Sequence, residues 1–187
     1  MGLPEQLRDY TPYNAQEAAD LPRVEKWLHE PLGFSRMNDT GHFTASGWVV
    51  SPDRKKVLMV YHNIYNSWSW MGGHADGDRD LRSVAERDIR EESGIRELRL
   101  LTPEIFSLEV LTVDGHEKKG QYVPSHLHYN VTYLFEADTQ QQTALKPDEN
   151  SGVCWIDVEK LPEMVSEPWF MERIYSKLCD KVRSLEL

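Results

Sequence analysis

Apolar residues recur along the chain at two different intervals, and each interval predicts one type of secondary structure. Between Leu81 and Ile89 they are three and four positions apart, which is the spacing of one face of an α-helix. We predict a helix over 81–93, because Gly94 follows it and glycine is a common helix stop. Two further amphipathic helices are predicted near the ends of the chain, over 17–28 and 169–178.

Other parts of the chain alternate apolar and polar residues with period two, or carry short runs of β-branched and aromatic residues. Both patterns predict β-strands, here over 43–50, 56–61, 104–113, 126–137 and 153–158. Strands on both sides of a central helix predict an α/β fold in which helices cover a mixed β-sheet. We expect an N-terminal helical arm over 1–40, then one compact domain over 41–187 that includes the C-terminal helix.

The composition is that of an ordinary soluble domain: 187 residues, 40% hydrophobic and 28% charged. The net charge of -10 repels nucleic-acid backbones and anionic membranes, so we predict neither as a partner. No apolar run approaches the roughly 18 residues that a membrane-spanning helix needs, and the N-terminal residues of the sequence lack the basic and apolar regions of a signal peptide. These features predict a cytoplasmic protein in which Cys154 and Cys179 are reduced packing residues.

The acidic residues of the predicted helix share its apolar face. At about 100° per residue, Asp88 and Glu92 project roughly 20° to either side of Leu81, and Glu91 projects roughly 80° away. Burial and like charge both disfavour ionised carboxylates, so a divalent cation with oxygen ligands, Mg²⁺ or Mn²⁺, would keep them together. The alternative is that these acids face water beyond the core, or pair with neighbouring arginines at the surface.

Residues 73–95 resemble the Nudix box, in which G is followed after five residues by E, and after seven more by R-E-aliphatic-x-E-E-x-G-aliphatic. Seven of its nine specified positions match: Gly73, Arg87, Ile89, Glu91, Glu92, Gly94 and Ile95. Arg79 stands where the pattern has its first glutamate, and Asp88 stands where it has the glutamate after arginine. The resemblance extends over about 43–158 and implies an α/β/α sandwich with a mixed sheet.

The resemblance also implies a pyrophosphohydrolase that cleaves a nucleoside diphosphate linked to another moiety, using Mg²⁺ or Mn²⁺. Asp88, Glu91, Glu92 and the backbone carbonyl of Gly72 would hold the metal, and Arg87 would orient a neighbouring carboxylate. The general base varies in the family, and our candidate is Glu149, which precedes the last predicted strand. The alternative for that residue is a solvated loop acid.

Further residues are candidates for contact with the substrate: Gly73, His74, Arg79, Trp68, His126 and His128. His126 and His128 lie on one face of a predicted strand, which suits a metal or a phosphate. A zinc site would need further ligands, and none stands at a sensible spacing, so we predict substrate contact, with a structural histidine pair as the alternative. Trp68 could stack on a base or simply pack.

Two rival functions remain open. A Nudix-like nucleotide-binding or regulatory module with weak or no hydrolysis would explain Arg79 and Asp88. Isomerisation of a diphosphate is less favoured, because a catalytic cysteine is expected close to the box and neither cysteine of the chain stands there. Nothing in the sequence decides between a monomer and a homodimer. The excess negative charge lies in 73–95, with seven acids and four bases, and in 136–172, with nine acids and two bases. If these two segments meet, they mark a cation-dependent site for a small anionic substrate.

Overall fold

The helices of the computed structural model agree with the prediction in the middle of the chain and differ near its ends. The structure describes residues 2–118 and 120–185, and its α-helices there are α1 (Leu3–Asp9), α2 (Ala15–Trp27), α3 (Leu81–Ser93), α4 (Leu161–Met164), α5 (Pro168–Phe170) and α6 (Ser176–Ser184). Helix α3 has the predicted bounds. The predicted helix over 169–178 is instead divided, because a π-helical turn, Met171–Tyr175, joins α5 to α6. Helix α1 was not predicted.

Strands are present at each predicted place, with shifted ends. They are β1 (Gly41–Val50), β2 (Lys56–His62), β3 (Ser67–Ser69), β4 (Met71–His74), β5 (Arg99–Leu100), β6 (Ser107–Val113), β7 (His116–Lys118), β8 (Gln121–Val123), β9 (His126–Glu136) and β10 (Asn150–Asp157). The predicted α/β class, with helices near both ends of the chain, is confirmed. In the described part of the chain no helix combines the length and apolar character that crossing a membrane requires.

The described residues form two compact units, each assembled from separate segments of the chain. The first contains residues up to 46 together with 72–85 and 104–133, and the second contains 47–71, 86–103 and the residues from 134 onward. The division falls inside β1, α3 and β9, so each of these elements contributes to both units. The domain boundaries at 1–40 and 41–187 stay predictions.

A buried polar network joins the strands of the first unit, where β6 pairs antiparallel with β9. Asn130, 1% exposed, lies at its centre. Its Oδ1 accepts hydrogen bonds from Thr44 Oγ1 at 3.0 Å and Ser46 Oγ at 2.9 Å. Its Nδ2 donates to Glu109 Oε2 at 3.0 Å and to Thr132 Oγ1 at 3.1 Å. Every side-chain donor and acceptor of Asn130 is therefore used, which favours one register of β1, β6 and β9.

The N-terminal helices belong to the same unit because α2 is bonded to β6. Ser107 Oγ donates to the buried carboxylate of Glu17 at 3.0 Å, and Tyr10 donates its hydroxyl to the same carboxylate at 2.7 Å. Asn14 caps α2 by accepting the backbone N–H of Glu17 at 3.0 Å, as its position at the helix start favours. The two helices that lie in the predicted N-terminal arm, α1 and α2, are therefore part of the first unit.

Aromatic and aliphatic side chains form the core of the second unit, in which β2 pairs antiparallel with β10. Trp48 stacks on Tyr175, with their ring centroids 5.5 Å apart, and both side chains are buried. The hydroxyl of Tyr175 accepts the backbone N–H of Trp70 at 3.3 Å, so the buried phenol has a partner. A side chain in place of Gly47 would overlap Ile89, which explains a glycine inside β1.

The two cysteines differ in environment. Cys154 is exposed, so the prediction that it packs is wrong, because its position in β10 points to the surface. Cys179 is buried, and burial raises the pKa of its thiol to about 12.

We expect a thiol reagent at neutral pH to label Cys154 alone in the native protein, and Cys179 only after unfolding, since the thiolate is the reactive form. Intact-mass spectrometry with and without urea checks this, and rapid native labelling of the Cys154→Ser variant would contradict it.

Candidate functional site

The first half of the box is a loop fixed to the segment before β1. Arg36 forms a two-bonded ion pair with Asp76, with an Nε to Oδ1 distance of 2.7 Å. Gly77, at φ +94°, donates its N–H to the carbonyl of Phe34 at 2.7 Å. Arg79 places its guanidinium carbon 4.6 Å from the centroid of the Phe34 ring, a cation–π contact. Arg79, which stands where the box pattern has a glutamate, is therefore held over an aromatic ring. Its contact with a substrate stays a prediction.

Gly72 and Gly73, which precede this loop in β4, belong to the first unit. A Cβ on Gly72 would lie 2.7 Å from the Cα of Ser46, so only glycine allows β4 to approach β1 this closely. Gly73 is half-buried beside His74. The proposed metal contact of the Gly72 carbonyl and the substrate contact of Gly73 stay predictions.

The acids of α3 that the sequence places on the apolar face differ in exposure, and the expectation that Glu91 shares the buried face is wrong. In the second unit Glu92 is buried at 4% exposure, Asp88 is half-buried and Glu91 is exposed. Burial, aided by the charges of Glu91 and Glu149, raises the pKa of Asp88 to about 6. Arg87 opposes this shift, since its Nε lies 3.5 Å from Asp88 Oδ1. The helix thus holds a carboxyl group that protonates more readily than an ordinary aspartate, and a nearby cation would favour its ionised form.

The loop before β10 meets the C-terminal end of α3. The carbonyl oxygens there lack partners within the helix, and two are satisfied by this loop. Asn150 donates its Nδ2 to the carbonyl of Glu92 at 2.9 Å, and Ala144 donates its N–H to the carbonyl of Ser93 at 2.8 Å. The acidic segments 73–95 and 136–172 therefore meet at this end of the helix.

Lys146 joins the two acidic segments. Its Nζ lies 3.0 Å from Glu91 Oε2 and 3.1 Å from Glu149 Oε2. Burial opposes the charge, yet the hydrogen bonds to both carboxylates raise the pKa of Lys146 above its ordinary value. Glu149, the candidate base, is thereby linked through Lys146 to Glu91 on α3. Lys146 was not predicted from the sequence, although a base in so acidic a segment was a signal.

Trp68 lies in β3 of the second unit and packs against β2 and β10. Its ring meets Tyr61 edge to face, with the centroids 5.6 Å apart. A Cβ on Gly152 would lie 3.0 Å from Trp68 Cη2, so the ring also covers that glycine. These contacts explain Trp68 by packing, and its stacking on a base stays a prediction.

In the first unit, His74, His126 and His128 are brought together with a fourth histidine, His42. One nitrogen of each lies within 4.8 Å of the corresponding nitrogens of the others. Burial, together with the neighbouring imidazoles, lowers the pKa of His128 to about 2, and burial lowers the pKa of His42 as well. The expectation that no further ligand joins the His126–His128 pair is therefore wrong. His42 was missed because it is far away in sequence.

Gly94 combines two constraints that explain its place in the box. Its φ of +76° is strained for other residues, and a Cβ there would lie 2.7 Å from the Cβ and N of Ala144.

We expect Gly94→Ala to lower the free energy of unfolding by about 2–4 kcal/mol, from backbone strain plus overlap. Gly77→Ala is the matched control, because it has a similar φ but no neighbour within 4 Å, and it should cost only about 1 kcal/mol. Equal losses in urea unfolding would contradict the role assigned to Ala144.

Comparisons with known proteins agree with the box. A family model described as NUDIX domain matches residues 41–178. The chain is 30% identical over 119 residues to an m7GpppN-mRNA hydrolase of Xenopus laevis, covering 60% of this chain but only 38% of that protein. It is 25% identical over 144 residues to an RNA pyrophosphohydrolase of Pelagibacter ubique (strain HTCC1062), covering 74% of this chain and 90% of that protein.

Solved structures are similar in fold. An Ap4A hydrolase of C. elegans has a TM-score of 0.54 at 19% identity, covering 75% of this chain and 94% of that chain. A Nudix hydrolase of M. smegmatis has a TM-score of 0.58 at 16% identity, covering 79% of this chain and 89% of that chain. These likenesses confirm the predicted Nudix-like α/β/α fold. Since the family model covers most of the chain, the protein belongs to the Nudix family and is a Nudix-type hydrolase acting on phosphoric anhydrides.

Proposed function

We propose that the protein is a metal-dependent pyrophosphohydrolase that cleaves the diphosphate bond of a nucleoside diphosphate linked to another moiety. The observation that carries this proposal is the group of acids around the C-terminal half of α3. Asp88, Glu91 and Glu92 come from the helix, and Glu149 comes from the loop that meets it. The Nudix family acts on phosphoric anhydrides, and the carboxylates on α3 and in the adjoining loop suit a divalent ion. Both observations favour metal-dependent cleavage of a diphosphate bond.

The side chains of this group suit Mg²⁺ or Mn²⁺. Both ions prefer oxygen ligands, and α3 supplies carboxylates, of which that of Asp88 is desolvated enough that its pKa is raised to about 6. Asp88, Glu91 and Glu92 would hold the ion, and the carbonyl of Gly72 is proposed as a further ligand. A bound divalent ion supplies charge neutralisation at the diphosphate and acidifies water.

The remaining side chains have roles in binding and proton transfer. Glu149 would accept a proton from the attacking water, for which a carboxylate in an acidic, partly desolvated group is suited. Arg87 would keep the Asp88 carboxylate oriented, in line with their 3.5 Å separation. Lys146 balances the charges of Glu91 and Glu149 and would exchange one of these partners for a substrate phosphate. Contacts of Gly73 and Arg79 with the substrate belong to the same proposal.

The substrate class can be narrowed by direct assay. Initial rates should be measured with Mg²⁺ and with Mn²⁺ on nucleotide sugars, dinucleoside polyphosphates, a cap analogue, and RNA with a triphosphate on its first nucleotide. The two RNA-related compounds are included because the Xenopus laevis and Pelagibacter ubique relatives are named for RNA substrates. We expect turnover of at least one compound with either ion and none in excess chelator.

One observation favours a second function, a nucleotide-binding or regulatory module with weak hydrolysis. Lys146 already neutralises Glu91 and Glu149, and the box has Arg79 and Asp88 in place of two glutamates. Calorimetry together with product analysis distinguishes the two functions, since a module should bind a nucleotide tightly without a metal and release little or no product. Rapid metal-dependent product formation would exclude it.

A further inference from the structure

Strands of the first unit bring four imidazoles to one place. His42 lies near the start of β1, His74 ends β4, and His126 and His128 lie two positions apart in β9. Residues two apart share a face of a strand, and β1 has β4 and β9 as hydrogen-bonded neighbours. The cluster therefore rests on strand pairing, and its members are half-buried apart from His42, which is 4% exposed.

The spacing of the four side chains matches one tetrahedral ion. One ring nitrogen of each histidine lies within 4.8 Å of the others, and His126 Nε2 lies 3.1 Å from His128 Nε2. Zinc–nitrogen bonds of about 2.0–2.1 Å place tetrahedral ligands roughly 3.3 Å apart. The four nitrogen atoms would move closer together when an ion binds between them. We propose that His42, His74, His126 and His128 form a binding site for one zinc ion.

Backbone carbonyls orient two of the rings for this role. His42 Nδ1 lies 3.2 Å from the carbonyl oxygen of Asn38, and His126 Nδ1 lies 2.8 Å from that of Pro124. A carbonyl can only accept, so Nδ1 carries the proton and Nε2 presents a lone pair. Zinc-binding histidines commonly donate their other N–H to a carbonyl in this way. His42 Nε2 is also buried without a hydrogen-bond partner among the described residues, as expected of a metal ligand.

The donor set discriminates between ligands. Mg²⁺ prefers oxygen atoms, whereas neutral imidazole nitrogens suit zinc, which accepts four-coordinate sites. A phosphate would need N–H groups directed at it, yet the carbonyl bonds of His42 and His126 leave the Nε2 atoms of these rings as acceptors instead. Four protein ligands fill a tetrahedral shell, so the ion is structural and joins β1, β4 and β9. This site does not depend on the proposed hydrolase activity.

Zinc binding should be measured by calorimetry on the full-length protein without a histidine tag, in excess Mg²⁺ to occupy carboxylate sites. We expect one ion per chain and a rise in Tm on zinc addition. His42→Gln and His128→Gln should each weaken binding at least about 100-fold, since outer partners of metal ligands alone cost 10–100-fold. His29→Gln is the control, because His29 is exposed and outside the cluster, and it should bind zinc as the wild type does.

Cobalt gives a second readout that does not require the variants to be as stable as the wild type. A tetrahedral cobalt site absorbs strongly in the visible range, and zinc should displace that absorption from the wild-type protein. The proposal is overturned if folded wild-type protein binds neither ion. It is also overturned if His42→Gln and His128→Gln variants, shown to be folded by circular dichroism, bind zinc with unchanged affinity.

Discussion

Replacing Glu91 and Glu92 together by glutamine is expected to lower kcat/KM for the best substrate by at least about 1,000-fold. Losing an outer partner of a metal ligand typically costs 10–100-fold, and here two proposed ligands lose their charge while keeping their shape. Glutamine also removes the partner of Lys146 on α3, because Glu91 Oε2 lies 3.0 Å from its Nζ. Initial rates across a range of Mg²⁺ concentrations measure the effect, and excess Mg²⁺ should not restore the rate.

Glu86→Gln is the matched control for this experiment. Glu86 lies on the same helix, outside the acidic group, and pairs with Arg90 at 2.7 Å on the surface. Surface pairs of this kind contribute little to stability, so its kcat/KM should stay within about twofold of the wild type. If Glu86→Gln and the double variant lose activity equally, or the folded double variant keeps its rate, Glu91 and Glu92 are not metal ligands.

Asn130→Ala is expected to lower the free energy of unfolding by about 3–5 kcal/mol. Each buried polar group left without a partner costs about 1–3 kcal/mol, and this change removes the Asn130 amide that Thr44 and Ser46 bond, together with one of the donors to Glu109. These residues stand on β1 and β6, so the loss should also loosen the strand that carries His42. Urea unfolding at constant slope measures the change.

Asn63→Ala is the control for the buried amide. Asn63 is exposed and donates one side-chain hydrogen bond, to the carbonyl of Pro147 at 3.1 Å. We expect its replacement to cost no more than about 1 kcal/mol, the usual net value of such a bond. Similar losses for the two variants would show that the network around Asn130 is not a main source of stability.

Local periodicity was enough to predict α3 and the inward positions of Asp88 and Glu92, but not the exposure of Glu91. The helix has a strong stop signal at Gly94, and the projection of Asp88 and Glu92 depends only on the helical repeat. The strands were predicted for the same reason, since their alternation is local. The C-terminal helix was predicted less well, because a π-helical turn over Met171–Tyr175 shifts the register without changing the apolar spacing on either side.

Long-range contacts were beyond sequence reasoning. Lys146 meets Glu91 only because Asn150 and Ala144 bond the carbonyls at the end of α3, and nothing local encodes that approach. His42 is distant in sequence from the His126–His128 pair, so a search by spacing does not find it. A weaker sequence signal for His42 was present, because the polar residues His42, Thr44 and Ser46 alternate with apolar residues on β1, as polar residues do on β9.

The two units therefore hold donor sets of different chemistry. Carboxylate oxygens are grouped around α3 in the second unit, and imidazole nitrogens are grouped on β1, β4 and β9 in the first. Oxygen donors suit the Mg²⁺ or Mn²⁺ of the proposed reaction, whereas nitrogen donors suit the proposed structural zinc. Chelators that bind zinc and magnesium with different affinities should remove the two ions separately. The loss of protein stability can then be measured apart from the loss of turnover.

The central claim is that the acids of α3 support metal-dependent attack of water on a diphosphate. The most direct test is product analysis of the substrate panel in water labelled with heavy oxygen, with Mg²⁺ or Mn²⁺ present and in chelator. We expect cleavage of a diphosphate bond, one labelled oxygen in one phosphoryl product, and no product in chelator. No cleavage of any compound by folded protein with either ion, or equal cleavage in chelator, would contradict it.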